Sequence, residues 1–285
     1  MKTIPIRHIK ATQKEPDFSE GFSIRDLRDL LAGKDMVQEL HRHDFFYILV
    51  LKKGRGNHEI DFISYEVSDN VLFFMRPGQV HQLILKAGST GYLVQFNTDF
   101  YYAHDKASNQ LLRRTSNMNL YHPGAARFKK LLSILVDIFR EYTDKQEGYQ
   151  KVIKANLDIL CIELARQNSK SPPNNINTYT QERFEEFSTL LETHISTHKQ
   201  VSEYAGMLNL SPYQLNAITK ATLGKTCSQL ITEYIILESK RCLLATSNQV
   251  NQIAGHLGYE DVSYFIRFFK KHTGFSPEAF RHNFS

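Results

Sequence analysis

The sequence predicts an α+β, multidomain chain with a β-rich N-terminal half, two amphipathic helices and an all-α C-terminal half. Three observations carry this expectation. Short apolar runs separated by turn residues fill residues 40–100, apolar residues recur at helical spacing from Phe128 onward, and the polar stretch around Pro172 and Pro173 has no period at all. A length of 285 residues agrees with about two domains.

The runs Phe45–Leu51, His58–Phe62, Val71–Met75, His81–Leu85 and Tyr92–Phe96 read as strands. Gly54–Asn57, Ser68–Asn70, Pro77-Gly78 and Gly88-Ser89 separate them, a spacing that predicts an antiparallel sandwich or barrel over about 20–105. Phe128, Leu131, Leu132, Leu135, Ile138 and Phe139 predict one helix. Val152, Ile153, Leu157, Leu160, Cys161 and Leu164 predict another, so that two helices within 125–167 cover the barrel and leave a seam for a partner. A first domain over 1–168, a linker over 169–180 and a helical domain over 181–285 follow. The first 20 or so residues read equally as a responsive arm or as a frayed terminus.

Several classes of protein are excluded at this stage. The longest strongly apolar run, Phe45–Leu51, is far shorter than the ~20 residues of a membrane-spanning helix. Lys2, Pro5, Arg7 and Lys10 leave no apolar core for a secretory signal, so a cytoplasmic protein without membrane contact is expected. Cys161, Cys227 and Cys242 match no zinc spacing and read as reduced packing residues. No pairing of serine, cysteine or carboxylates forms a nucleophilic or acid/base signature, so neither an enzyme nor a resident cofactor is expected.

The helical half contains a divergent repeat. With Gly224 set against Gly274, Lys220 meets Lys270, Ile218 meets Phe268 and Leu215 meets Phe265; one residue of slack then lets Leu208 meet Leu257 and Ala205 meet Ala254. Each copy, over about 201–224 and 250–274, is a helix, a tight turn, a second helix and a glycine stop. In the second copy Val250, Ile253, Ala254 and Leu257 form one apolar stripe, Gly258 ends it and Asp261 can cap the next helix. At 100° per residue Phe265, Phe268, Phe269 and His272 share the packing face, while Ser263, Ile266, Arg267 and Lys270 share the other. A helix-turn-helix places such an outward face in the DNA major groove. Arg267 suits guanine, Ser263 either strand, Ile266 a thymine methyl, and Lys270 and Lys271 the phosphates. In the first copy Ser211 caps a helix with Pro212 at its first position, and Tyr213, Asn216, Ala217 and Lys220 face outward, Asn216 as an adenine reader. Thr226 and Gln229 form a capping box that opens a long helix through Leu244, which would hold the two heads about one DNA turn (~34 Å) apart.

The stretch 253–281, IAGHLGYEDVSYFIRFFKKHTGFSPEAFR, closely resembles the C-terminal signature of AraC-type bacterial transcription regulators. The likeness covers Phe184 to Arg281, and the stretches 208–226 and 238–245 resemble that family's first helix-turn-helix and linking helix. The family commonly has arginine or another long polar residue where this chain has Ala217. The resemblance implies an effector-responsive regulator, usually an activator, that acts on promoter DNA and RNA polymerase as a homodimer with an N-terminal cupin-like barrel. His41 to Tyr47 resembles the first cupin motif and Pro77 to His81 the second. In metal-binding cupins these supply three histidines and a glutamate, and Tyr47 falls at the place of the glutamate. His41, His43, Tyr47 and His81 are therefore candidate effector contacts. The favoured reading has the histidines lining a barrel mouth and bonding a ligand or one another, with a metal set of His41, His43 and His81 as the lesser reading and a metalloenzyme or an effector-free architectural DNA-binder as alternatives.

The net charge of +5 does not by itself argue for DNA. Residues 181–285 carry ten Lys+Arg and ten Asp+Glu, so the excess belongs to residues 1–180 with 25 against 20. The relevant charge is local: Val262 to Pro277 contains Arg267, Lys270 and Lys271 and no acid.

Overall fold

A computed structural model describes residues 6–7, 21–101, 106–168 and 178–284. Apart from residues 6–7, the first 20 residues, read as a responsive arm or a frayed terminus, lie outside the described residues, as does most of the predicted linker. The chain divides into two compact units, with residues 5–170 in one and 171–285 in the other.

The first unit runs β1 (Ile6–Arg7), β2 (Phe22–Asp26), α1 (Leu27–Leu31), β3 (Met36–His43), β4 (Phe46–Lys53), β5 (Gly56–Ile60), β6 (Ile63–Val67), β7 (Val71–Met75), β8 (Val80–Leu85), β9 (Thr90–Phe96), α2 (Lys106–Ser116), β10 (Leu120–Tyr121), α3 (Ala125–Asp144) and α4 (Tyr149–Asn168). Two five-stranded sheets, ordered β1-β3-β8-β5-β6 and β10-β7-β4-β9-β2, face one another. The long apolar run becomes β4, a strand buried on both sides. Because side chains alternate along a strand, Tyr47, Leu49 and Leu51 join Ile60, Phe73, Met75, Leu83 and Leu85 between the sheets. Phe46, Ile48 and Val50 join Leu72, Phe74, Val94 and Phe96 on the other face, where Leu131, Leu135 and Ile138 of α3 and Leu157, Leu160 and Leu164 of α4 cover them. Fully burying a leucine-sized side chain contributes about 1.5–3 kcal/mol, so these two apolar layers dominate the unit's stability.

The run expected over His58–Phe62 is corrected. Ile60 pairs with Ile63, and Asp61 (φ 48°) and Phe62 (φ 69°) make a two-residue hairpin turn with both residues left-handed. Asn and Gly usually fill such a turn; without them the bend was not legible. Strand β3 was also missed, since five of its eight residues are polar or charged.

The second unit contains α5 (Thr178–His194), α6 (Val201–Met207), α7 (Pro212–Leu223), α8 (Cys227–Ala245), α9 (Val250–His256), α10 (Val262–Thr273) and α11 (Pro277–Phe284). Helix α5 thus begins inside the stretch expected as linker. Its core joins Phe187, Leu191, Tyr204, Ala205, Leu208, Leu215, Ile231 and Ile235. No helix among the described residues is long and apolar enough to cross a membrane.

Candidate nucleic-acid interface and barrel site

Both helix pairs of the repeat form, and their caps are largely those the residues predict. The Ser211 hydroxyl accepts from the Gln214 N–H, with Pro212 opening α7. The Asp261 carboxylate accepts from the Ser263 N–H to open α10. Gly224 (φ 70°) and Gly274 (φ 81°) end the two helices in left-handed conformation, donating to the Lys220 and Lys270 carbonyls. Between them, the Thr226 and Gln229 capping box starts α8, whose 19 residues span about 28 Å at 1.5 Å each.

The outward rows are mostly as expected. Tyr213 is 84% exposed, Ala217 and Lys220 are exposed beside it, and on α10 Ser263, Arg267, Lys270 and Lys271 are exposed with Ile266 half-buried. Phe265 and Phe269 are fully buried behind that row. His272, expected on the packing face, is exposed and lies against the Phe268 ring with centroids 4.7 Å apart. The Arg267 guanidinium is 3.9 Å from the Asp261 carboxylate. A pair this exposed contributes about 0–1 kcal/mol and is readily exchanged for a nucleic-acid contact.

Asn216 requires a correction. Its side-chain oxygen accepts from the Cys227 N–H at 2.9 Å and its amide donates to the Pro212 carbonyl at 3.0 Å. It therefore satisfies one of the orphan N–H groups at the start of α8, and the side chain expected to read adenine is instead bound to its own backbone. Sequence reasoning passed over Tyr264, which is 54% exposed; Gln214, also exposed one turn before Ala217, has its side-chain oxygen taken by the Ser211 N–H at 2.8 Å. The helical period gave the signal for Tyr264, since it lies three residues before Arg267 and seven before Lys271.

The heads are joined by more than α8. The Lys199 ammonium donates to the Gly258 carbonyl at 3.0 Å and sits 4.9 Å from the centre of the Tyr259 ring. Tyr259 and Phe268 pack on the core of the first head. Gly258 has φ +71°, and a Cβ there would lie 1.7 Å from the Ser196 carbonyl oxygen. The matching position of the first copy holds Asn209 (φ 54°), a residue that tolerates the left-handed region.

The second site lies between the sheets. His41 and His43 alternate to the inner face of β3, and His41 stands opposite His81 of β8. His58 of β5, not singled out from the sequence, joins them, and all four imidazoles are at most 4% exposed. His43 Nε2 is 2.8 Å from His81 Nε2, which is 2.9 Å from His41 Nε2. His81 Nδ1 is 2.8 Å from His58 Nε2, and His41 Nδ1 is 2.7 Å from the Glu39 carbonyl oxygen. Burial and then mutual repulsion push His43 down to about 2 and His58 to about 3. Burial brings His41 to about 4 and holds His81 well below the ordinary value. The Tyr47 ring lies 5.3 Å from the rings of His43 and His81, burial raises its phenol, and its buried hydroxyl has no hydrogen-bond partner among the described residues. The structure thus brings together His41, His43, Tyr47 and His81. One ligand atom from each of His41, His43 and His81 lies within 4.8 Å of the others, a neutral imidazole set that fits a borderline transition metal and lacks the carboxylate a hard ion prefers.

Comparison with known proteins gives the same division. Residues 33–155 match an AraC-like ligand binding domain and residues 204–283 a helix-turn-helix domain. The HTH-type transcriptional activator RhaS of Escherichia fergusonii is 22% identical over 242 residues, covering 85% of this chain and 86% of that one. The uncharacterized HTH-type transcriptional regulator YfiF of Bacillus subtilis is 21% identical over 257 residues, covering 85% and 78%. The crystal structure of ToxT from Vibrio cholerae O395 is 16% identical, covers 93% and 98%, and superposes with a TM-score of 0.44.

Proposed function

The chain belongs to the AraC-type transcription regulators, and from that premise we propose that it is an effector-responsive activator that reads promoter DNA with α7 and α10 in the cytoplasm and recruits RNA polymerase. The observation that carries this reading is the pair of outward rows, with Tyr213, Ala217 and Lys220 exposed on one head and Ser263, Arg267, Lys270 and Lys271 exposed around the half-buried Ile266 on the other. Arg267 reads a guanine, Ser263 and Ile266 contact neighbouring base edges, and the lysines hold phosphates. Ala217 offers only a methyl group, so the first head discriminates less than the second.

No reaction is assigned to the chain. Burial pushes the Cys161 and Cys227 thiols up to about 12, far from the thiolate a nucleophile needs.

The test is binding to a duplex that the protein itself selects from a randomised library. Arg267→Ala is expected to lower affinity for the selected duplex by about 5- to 150-fold, the ~1–3 kcal/mol of a bidentate base contact, and to leave affinity for unselected duplex nearly unchanged. Lys270→Ala is expected to weaken both alike and to flatten the salt dependence by about one phosphate. Equal loss on both duplexes for Arg267→Ala would reduce that residue to a phosphate contact. Failure to enrich any sequence would remove the regulator reading.

Assembly as a homodimer through α4 belongs to the same reading. Val152, Ile159 and Ile162 are 41%, 44% and 38% exposed on that helix, and their spacing of seven and three residues makes the a/d seam of a helix pair. Ile159→Asp is expected to shift the protein from dimer to monomer in analytical ultracentrifugation at micromolar concentration without changing its circular dichroism. A dimer that persists at the same concentration places the interface elsewhere.

A further inference from the structure

The geometry of the four barrel histidines points to a single divalent first-row transition-metal ion, held by His41, His43 and His81, as the effector of this regulator, an inference that rests on the regulator reading above. The cluster holds too few protons for its contacts. The Glu39 carbonyl can only accept, so the His41 Nδ1 beside it at 2.7 Å bears the ring's proton, and the neutral ring turns a lone pair outward at Nε2. His81 Nδ1 and His58 Nε2, 2.8 Å apart, share one proton. When that proton sits on His81, the His81 Nε2 is also a lone pair, and it faces the His41 lone pair at 2.9 Å with nothing between them. When it sits on His58, the one N–H at His81 Nε2 must serve both His41 and His43, at 2.9 and 2.8 Å, or confront a second N–H from His43. No neutral assignment gives each of the two contacts a proton of its own. A cation at the vertex accepts all three lone pairs at once.

The surroundings suit that cation. Tetrahedral bonding at 2.0–2.1 Å places neighbouring nitrogens about 3.3 Å apart, so the two His81 contacts widen by about 0.4–0.5 Å while the ligand atoms, which span up to 4.8 Å across the set, draw together. Two of the three ligands already have Nδ1 held, by the Glu39 carbonyl and by His58 Nε2, the arrangement that fixes a ligand's tautomer and ring angle. His58 is thus a positioning residue rather than a ligand. Three neutral imidazoles without a carboxylate select zinc, cobalt, nickel, copper or ferrous iron over magnesium or calcium. The partnerless Tyr47 hydroxyl provides a buried polar group in the same cluster for a water on the ion's remaining position.

The experiment uses tag-free, full-length protein stripped with a chelator and titrated with Co(II), Zn(II) or Mg(II). The expected result is a visible Co(II) ligand-field band that saturates at one ion per chain, is displaced by Zn(II) and is absent with Mg(II). His81→Ala should abolish the band. His58→Ala should weaken the ion by about 10- to 100-fold and His58→Gln, which restores an acceptor, should recover most of that loss. One equivalent of Zn(II) should change affinity for the selected duplex by about fivefold or more. Absence of a saturable band in the wild-type chain overturns the proposal, whatever the variants do. A band indifferent to His81→Ala, or one that forms while DNA affinity stays constant, overturns it as well. In each of these cases continued sequence-selective DNA binding leaves the regulator reading standing, whereas loss of selectivity in stripped and loaded protein alike removes both.

Discussion

Gly258→Ala is expected to lower the stability of the helical unit by about 3 kcal/mol or more, enough to bring its melting temperature down by more than about 10 °C. Two costs add. An alanine at φ +71° sits in the left-handed region, worth roughly 1–2 kcal/mol. Its Cβ would also lie 1.7 Å from the Ser196 carbonyl oxygen, so the turn of the second head must withdraw from the loop before α6. That withdrawal breaks the Lys199 bond to the Gly258 carbonyl and strips Tyr259 of its contact with the first head. Asn209→Gly, at the matching turn of the first copy, is the control: its backbone is already left-handed at φ 54°, and a change within about 1 kcal/mol is expected. Urea denaturation of both variants, followed by circular dichroism, makes the comparison. Similar midpoints for the two would mean that the close approach at Gly258 is unimportant.

The second large effect is an acid collapse of the barrel. In chelator-treated protein His41, His43 and His58 titrate near 4, 2 and 3, and His81 well below its ordinary value. An unfolded chain binds a proton at each near 6.5, so between about pH 6.5 and 4 the unfolded state holds up to four more protons than the folded one. Depressed histidines contribute stability that is present above 6.5 and lost as the pH falls toward their folded values. Each accounts for at most about 1.4 kcal/mol per pH unit, and the four together for about 3–5. Hydrogen exchange of β3, β5 and β8 peptides should accelerate steeply between pH 6.5 and 5 and hardly at all between 8 and 7. A flat profile across pH 6.5 to 5 would mean that the imidazoles already carry a charge inside the barrel. Saturating the site with Zn(II) should move the collapse to lower pH, because the ion and the protons compete for the same lone pairs.

How far the sequence reached depended on whether a feature was local. Capping residues such as Ser211, Asp261 and Thr226 declare themselves through chemistry within one turn, and all three cap as read. The two-face burial of β4 was legible because an apolar run of seven needs two apolar walls. His58 was not legible. Nothing in its neighbourhood marks it, and it joins the other histidines only because β5 pairs with β8 in a register that no short stretch encodes. Asn216 failed for a related reason: the helical wheel places it near the outward row, but the partner that claims it is the start of the following helix. Gly258 was recognised as a helix stop, yet its tighter constraint, the carbonyl of Ser196, lies 62 positions away in sequence. Close approaches between distant segments leave no trace in periodicity.

Strand β4 has one further consequence. Tyr47 hangs from it on the side of the histidines, while Phe46 and Ile48, its immediate neighbours, press on the layer covered by α3 and α4. The three residues share one stretch of pleated backbone, so a substitution that shifts the backbone at Tyr47 bears on both apolar layers at once.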